Sequence, residues 1–183
     1  MKTTFGFIVL ITGLCLATMA SAQQVEVKNK TSAEYQREFS RLVAQGFRPI
    51  KVYAKTLSVF DYQPGERPQL GYWATFEKRP NTTAWAANHG LSPDAYQREF
   101  TKWTSQGYMP TDINVAAIDG RMSYCVIFDK IPNQGSWQAR HNLNQTDFTN
   151  TNNQLIEQGF NRTITTFCNT PNGRVYAGLW VKR

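Results

Sequence analysis

The chain has 183 residues, 41% of them hydrophobic and 18% charged, with a formal net charge of +7. Its basic residues stand in ones and twos, as at Lys78-Arg79 and Lys182-Arg183, which excludes the dense basic run that nucleic-acid or heparin binding uses. What remains is a mildly cationic surface with a general pull on acidic partners such as polyanionic glycans or cell surfaces.

The first 22 residues read as an export signal rather than as part of the fold. Lys2 supplies a short basic start, and Phe5 to Leu16 is mainly apolar. Ala20-Ser21-Ala22 has the small-x-small form of a signal-peptidase site, placing cleavage before Gln23. The apolar run is short of the ~20 residues that a membrane span needs. An uncleaved N-terminal anchor is the competing reading. Cys15 lacks a small residue before it, since Leu14 stands there, so lipid attachment is not expected. The expectation is a secreted chain, periplasmic if the source is bacterial, with no stable membrane span after cleavage. Residues 23–183 then form one domain, long enough to bury a real core.

The mature chain is one unit used three times. Tyr35-Gln36-Arg37-Glu38-Phe39 returns as Tyr96-Gln97-Arg98-Glu99-Phe100, and more weakly from Phe148. Gly46 to Gly107 is 61 residues and Gly107 to Gly159 is 52. Tyr72, Tyr124 and Tyr176 recur every 52 residues, as do Phe76, Phe128 and Trp180, and Lys78, Lys130 and Lys182. The excess in the first interval falls on the Pro/Gly-containing stretch Asp61 to Pro68, a loop by its chemistry. A repeat of this period sets the architecture of the whole chain.

Each unit opens with a helix. Tyr35, Phe39, Leu42 and Val43 fall on one helical face, as do Tyr96, Phe100 and Trp103. The third helix keeps Phe148, Leu155 and Ile156 but has Asn152 where the others have Phe. Thr31 with Glu34 forms a capping box, Ser92 precedes Pro93, and Asn144 stands before Asp147. Gly46, Gly107 and Gly159 stop the helices, because a left-handed residue is needed there. Pro49 and Pro110 then forbid further helix.

Two strands follow in each unit: Ile50 to Phe60 with Tyr72 to Phe76, Ile113 to Ile118 with Met122 to Phe128, and Thr163 to Phe167 with Val175 to Val181. Asp119-Gly120 is a hairpin turn by type. Both strand faces are partly apolar, which suits helices on one side and repeat neighbours on the other. The fold class expected is α+β, three tandem helix–strand–strand repeats with helices on antiparallel hairpins. The units run about 31–79, 92–131 and 144–183, joined by junctions at 80–91 and 132–143. Each junction carries Trp-x-Ala-x-His-x-Leu, with Trp85 and His89 in the first and Trp137 and His141 in the second. In unit three, Gly159-Phe160 lacks the following proline.

Trp-x-Ala-x-His-x-Leu, then Tyr-x-x-x-Phe, then Gly-(Tyr/Phe)-x-Pro and an aromatic hairpin together resemble the family called bacterial tandem repeat domain 1. Similar repeats form the non-catalytic part of fungal polyglycine hydrolases, where a separate serine β-lactamase-like domain carries the chemistry. The resemblance runs from about Thr31 to Lys182 and implies repeat architecture with no activity to carry over. No Ser-x-x-Lys, Gly-x-Ser-x-Gly, His-Glu-x-x-His or Cys-x-x-Cys occurs in the chain.

The functional expectation is a secreted non-enzymatic module that binds an extracellular protein or glycan, with no catalytic residue, metal or cofactor. A structural matrix or adhesion component is indistinguishable from it at this level. The enzymatic alternative is a small serine hydrolase using Ser123 or Ser136 with His141, which requires hydrogen-bond reach. The paired histidines could in principle meet Asp94 and Asp147 at a metal, but a junction role fits their recurrence better. Tyr53, Tyr62, Trp73 and Trp85 are candidate stacking platforms for sugars. Tyr62 and Arg67, in the loop that only unit one has, form the candidate binding loop. Cys125 and Cys168 are a candidate disulfide, given export and an even count, if consecutive hairpins place their strands side by side. Asn29, Asn81, Asn144 and Asn161 begin glycosylation sequons, meaningful in a eukaryotic source.

Overall fold

The helices form where the sequence places caps and stops. A computed structural model describes residues 23–57, 68–78 and 83–182 of the chain. The signal segment, Tyr62, Arg67 and Asn81 lie outside these residues. Helix α1 spans Ser32–Ala44, α2 Pro93–Thr104 and α3 Gln145–Glu157. At α1 the Thr31 hydroxyl accepts from the Glu34 N–H, and the Thr31 N–H donates to Glu34 Oε2 at 2.9 Å. That N–H, and after it the Thr31 hydroxyl, which donates to the same oxygen, hold the Glu34 carboxyl below its usual range. Ser92 and Asn144 cap the other two helices. Gly46, Gly107 and Gly159 all have φ between 81° and 84°, as a helix stop requires.

The strands are β1 (Gln24–Lys30), β2 (Phe47–Thr56), β3 (Leu70–Lys78), β4 (Trp85–Leu91), β5 (Met109–Ile118), β6 (Arg121–Asp129), β7 (Ser136–Leu143), β8 (Asn161–Thr170) and β9 (Gly173–Lys182). They form three antiparallel three-stranded sheets, ordered β1-β3-β2, β4-β6-β5 and β7-β9-β8. The architecture is therefore the expected repeated α+β arrangement, with one strand more per unit than the sequence suggested. The stretches read as junctions contain β4 and β7, which pair with the hairpins that follow them. Their strand signal is hidden by a bulge. Pairing shifts after Asn88 and Arg140, where Gly90 and Asn142 take positive φ. Asn29 holds the same place in β1, 61 residues before Gly90, with φ 53°.

Each sheet has two working faces. On one, Tyr72, Ala74 and Phe76 pack under α1 with Tyr35 and Leu42. Phe76, Phe128 and Trp180, all at one repeat position, are fully buried. The opposite face of the next sheet closes this core. Ala116, Cys125 and Ile127 of unit two join the core of unit one, and Cys168, Ala177 and Leu179 of unit three join that of unit two.

The expected Cys125–Cys168 bridge is absent: both thiols are free and buried. The pleat explains this. Cys125 points from β6 toward unit one, whereas Cys168 lies among Tyr124, Val126 and Val115 on the far side of the same sheet. A sheet stands between the two sulfurs.

Strands β2 and β5 lie at sheet edges, so one row of their N–H groups lacks a ladder partner. The next unit supplies it from side chains. Asp112 Oδ2 accepts from the Val52 N–H at 2.7 Å, and Asn114 Oδ1 from the Ala54 N–H at 2.9 Å. Thr166 Oγ1 accepts from the Val115 N–H at 3.2 Å. A buried ion pair also spans the first interface, with Arg48 Nη2 at 2.5 Å from Asp129 Oδ1. Thr111 Oγ1 donates to the other oxygen of Asp129 at 2.8 Å. In the second interface the equivalent residues are Met109 and Val181.

Two predictions come from these contacts. Arg48→Ala strands a buried carboxylate and should lower the unfolding free energy by about 3–5 kcal/mol, while R48M/D129V, which copies the second interface, should recover most of it. Urea denaturation of the two variants checks this. Burial raises the Asp112 carboxyl to about 6 from its ordinary 3.8. The folded chain then binds this proton more tightly than the unfolded one, so stability falls as pH rises from about 4 to about 6. Asp112→Asn should match the wild type near pH 4 and exceed it near pH 7, read from urea midpoints at the two values.

Candidate functional site

Units that share a core differ most freely on faces the core does not use. Among the described residues, the sheet face that units two and three press against their predecessors meets no preceding unit in unit one. Its residues differ accordingly. Lys51, Tyr53 and Lys55 on β2 stand where unit two has Asp112, Asn114 and Ala116 and unit three has Ile164, Thr166 and Cys168. Trp73 on β3 stands where the others have Cys125 and Ala177. The carboxylate, amide and hydroxyl that dock units two and three have no counterpart in unit one.

The face is built around one aromatic pair. Tyr53 and Trp73 sit opposite each other in the β2–β3 ladder. Their rings are 5.8 Å apart and within 9° of parallel, and both residues are half-buried. Gly71 lets the indole lie across the sheet, since a Cβ there would stand 2.9 Å from two of its ring atoms. Lys55 Nζ lies 4.4 Å from the Trp73 ring centroid and Lys51 Nζ 5.9 Å from that of Tyr53. Lys28 sits beside them, paired with Glu26 at 2.5 Å, and this bond raises the lysine above its ordinary range. Glu26, Lys28, Tyr53, Trp73 and Thr75 together line a shallow depression. Lys28 in this lining, with Lys51 and Lys55 over the rings beside it, gathers three lysines on the face.

The candidate loop that carries Tyr62 and Arg67 springs from the Lys55–Gly71 end of this face. Its base is tied where the Leu57 N–H donates to the Gln69 carbonyl at 2.9 Å. Trp85, by contrast, is no platform. It packs edge-on against Phe39 at 6.1 Å, and Trp137 does the same to Phe100.

The histidines belong to the same insertion. His89 lies edge-on to Tyr35 and Tyr72 at 4.6 and 4.9 Å, and its Nε2 is 3.2 Å from Ser32 Oγ. It therefore contacts the start of the preceding helix, not of the one that follows. His141 meets Tyr96 at 4.8 Å and Tyr124 at 5.8 Å. Burial lowers the pKa of both imidazoles. Asp147 is taken up by the Asn144 cap of its own helix. Among the described residues, no group of three His, Cys, Asp or Glu could hold a metal ion.

The serines of the hydrolase alternative do not gather around His141. Ser136 and His141 lie five residues apart on one strand, roughly 16 Å at ~3.3 Å per residue. Ser123 is buried and bonds Tyr72 in the first interface, whereas His141 packs in the second.

Among the sequons, Asn29 and Asn161 are exposed. Asn144 is exposed too, but its amide nitrogen donates to Asp147 Oδ2 at 2.8 Å, so the cap uses the atom a glycan would need.

Sequence reasoning singled out Tyr53 and Trp73 but missed Lys28, Lys51 and Lys55 as a group. The signal was available in the register, where these lysines align with residues that are buried or dock in the other copies.

Strand–helix–strand–strand units that stack through a shared core define a structural repeat protein. The chain belongs to the BTRD1 family, polyglycine hydrolase-like structural repeats, which it matches at residues 29–56, 82–131 and 134–183. No curated protein matches it. Among the described residues no helix is long and apolar enough to cross a membrane.

Because Trp73 lies on an open face, Trp73→Ala should cost less than about 1 kcal/mol of stability. Trp180→Ala, in the core of unit three, should cost about 3–5 kcal/mol. Paired thermal and urea unfolding distinguishes them.

Proposed function

We propose that the chain is an exported, non-catalytic module that holds an acidic glycan on the open face of unit one. The observation that carries this reading is the Tyr53–Trp73 pair flanked by Lys51 and Lys55. Parallel aromatic rings offer a flat apolar surface to the C–H face of a sugar. Lysines beside the rings complement carboxylate or sulfate groups on the same polymer, and their exposure makes the attraction sensitive to salt. The membership of the repeat family supports a non-catalytic role. The loop with Tyr62 and Arg67 leaves from the rim of the face and supplies further contacts.

The test is an array of neutral, uronic-acid and sulfated glycans probed with the mature chain. Binding confined to acidic glycans is expected. Trp73→Ala and K51E/K55E should each weaken it about tenfold or more, equivalent to ~1.4 kcal/mol. Added salt should weaken it further. Deleting residues 61–68 should reduce affinity without abolishing it. Binding unchanged in Trp73→Ala and K51E/K55E, or a partner captured only among proteins, would overturn the reading. N-terminal sequencing of the exported chain should begin at Gln23.

A further inference from the structure

Units one and two surrender the open edge of one hairpin strand to the unit that follows. The N–H groups of Val52, Ala54 and Val115 meet side-chain oxygens there. By the repeat register, Thr165 and Phe167 of β8 hold the places of Val52 and Ala54. Their N–H groups point out of the sheet edge in the same way, and among the described residues neither meets an acceptor. Phe167 is 47% exposed, whereas Ala54 and Val115 at the same position are 5% and 2% exposed.

The face of unit three is finished, but this edge is not. Trp180 is fully buried in the core with Phe148 and Leu155, and its indole N–H donates to Asn152. Asn152 stands where an inserted Trp meets Phe39 or Phe100, so a further unit of the same kind would not dock well. The edges of β1, β4 and β7 are each broken by a bulge, which spoils them as templates. In β8 the pairing runs unbroken from Ile164 to Thr170, with no proline and no charged side chain.

We propose that β8 pairs with β8 of a second copy of this chain, antiparallel about a two-fold axis at Phe167. An interface on such an axis sets one patch against itself, and an antiparallel strand edge is complementary to itself. This register places Phe167 against Phe167 of the copy, and Thr165 against its Asn169. Each of these residues exchanges N–H and C=O bonds across the edge, with facing Cα atoms ~5.5 Å apart. Aromatic pairs across strands are favourable. The Arg174 guanidinium, 4.4 Å from its own Phe167 ring, falls on the opposite side of the axis from that of the copy. A charged segment would be desolvated against Phe167 and an uncharged strand, whereas a second β8 brings a matching ring. The pairing joins two β7-β9-β8 sheets into one. It leaves the Tyr53–Trp73 face free and does not rest on the glycan reading.

Sedimentation equilibrium of the mature chain should show a reversible monomer–dimer equilibrium. Thr165→Pro removes an outward N–H, a change that edge strands accept, as Pro49 in β2 and Pro110 in β5 show. Phe167→Lys sets like charges face to face. Each should weaken the dimer about tenfold or more and leave the unfolding midpoint of the dilute monomer unchanged. Trp73→Ala should leave the dimer intact. Should Thr165→Pro not fold, Phe167→Lys decides. Under mild oxidation Phe167→Cys should link two copies and Asn169→Cys should not, because only position 167 faces its own equivalent. A chain that stays monomeric at every concentration overturns the proposal, even if an added peptide binds its β8 edge. So does a dimer that persists in whichever edge variant folds. Equal crosslinking through Asn169→Cys and Phe167→Cys overturns the register.

Discussion

Each unit of this chain leaves its own core unfinished, and the next unit finishes it. The aromatic stripe of α1 is closed by Trp85 and His89, which arrive on the first strand of the following sheet. Trp137 and His141 do the same for α2. The back of that following sheet seals the remaining apolar surface, and its side chains satisfy the open N–H groups of the preceding edge strand. Stability in such a chain is a sum over units and the contacts between neighbours. A change at one interface should therefore be felt there and little beyond the adjoining unit.

The two ends follow from the same dependence. In β1, Gln24 and Lys28 hold the places of the inserted Trp and His. In α3, Asn152 replaces the Phe that receives the inserted Trp, and its Oδ1 accepts from Trp180 Nε1 at 3.2 Å and from Arg162 at 3.1 Å. Asn152 breaks the apolar stripe of the third helix, and that break is a polar finish to a surface that no unit among the described residues covers. At the other end the docking residues give way to lysines and aromatics, and a face built for stacking becomes free to bind something else.

Much of this was legible in the residues. The caps at Thr31, Ser92 and Asn144, the glycine stops and the hairpins rest on local chemistry, which reads directly from sequence. The repeat register carried the rest of the architecture. What stayed hidden was non-local. The strands from Trp85 and Trp137 were read as linkers, because a bulge at Gly90 and Asn142 breaks the period of two that marks a strand. The disulfide expectation assumed neighbouring strands but not which face each cysteine uses, and the pleat decided otherwise. The candidate binding face was half legible: rings announce themselves by type, whereas exposed lysines resemble any solvated surface until their aligned positions are compared.

The placement of the two thiols bears on how the chain comes to be folded. Cys125 is buried with its pKa pushed up to about 12, and burial also raises that of Cys168. Once packed, both are nearly inert, because the reactive thiolate is suppressed. Before packing, neither is protected. In an oxidising compartment, a bond between them would join residues that the finished molecule keeps on opposite sides of one sheet. Such a crosslink would have to form before the sheet of unit two is sandwiched between its neighbours, and it would then bar that assembly. In such a compartment the chain would fold in a race between stacking and oxidation, in which the winner decides whether the repeat array closes at all.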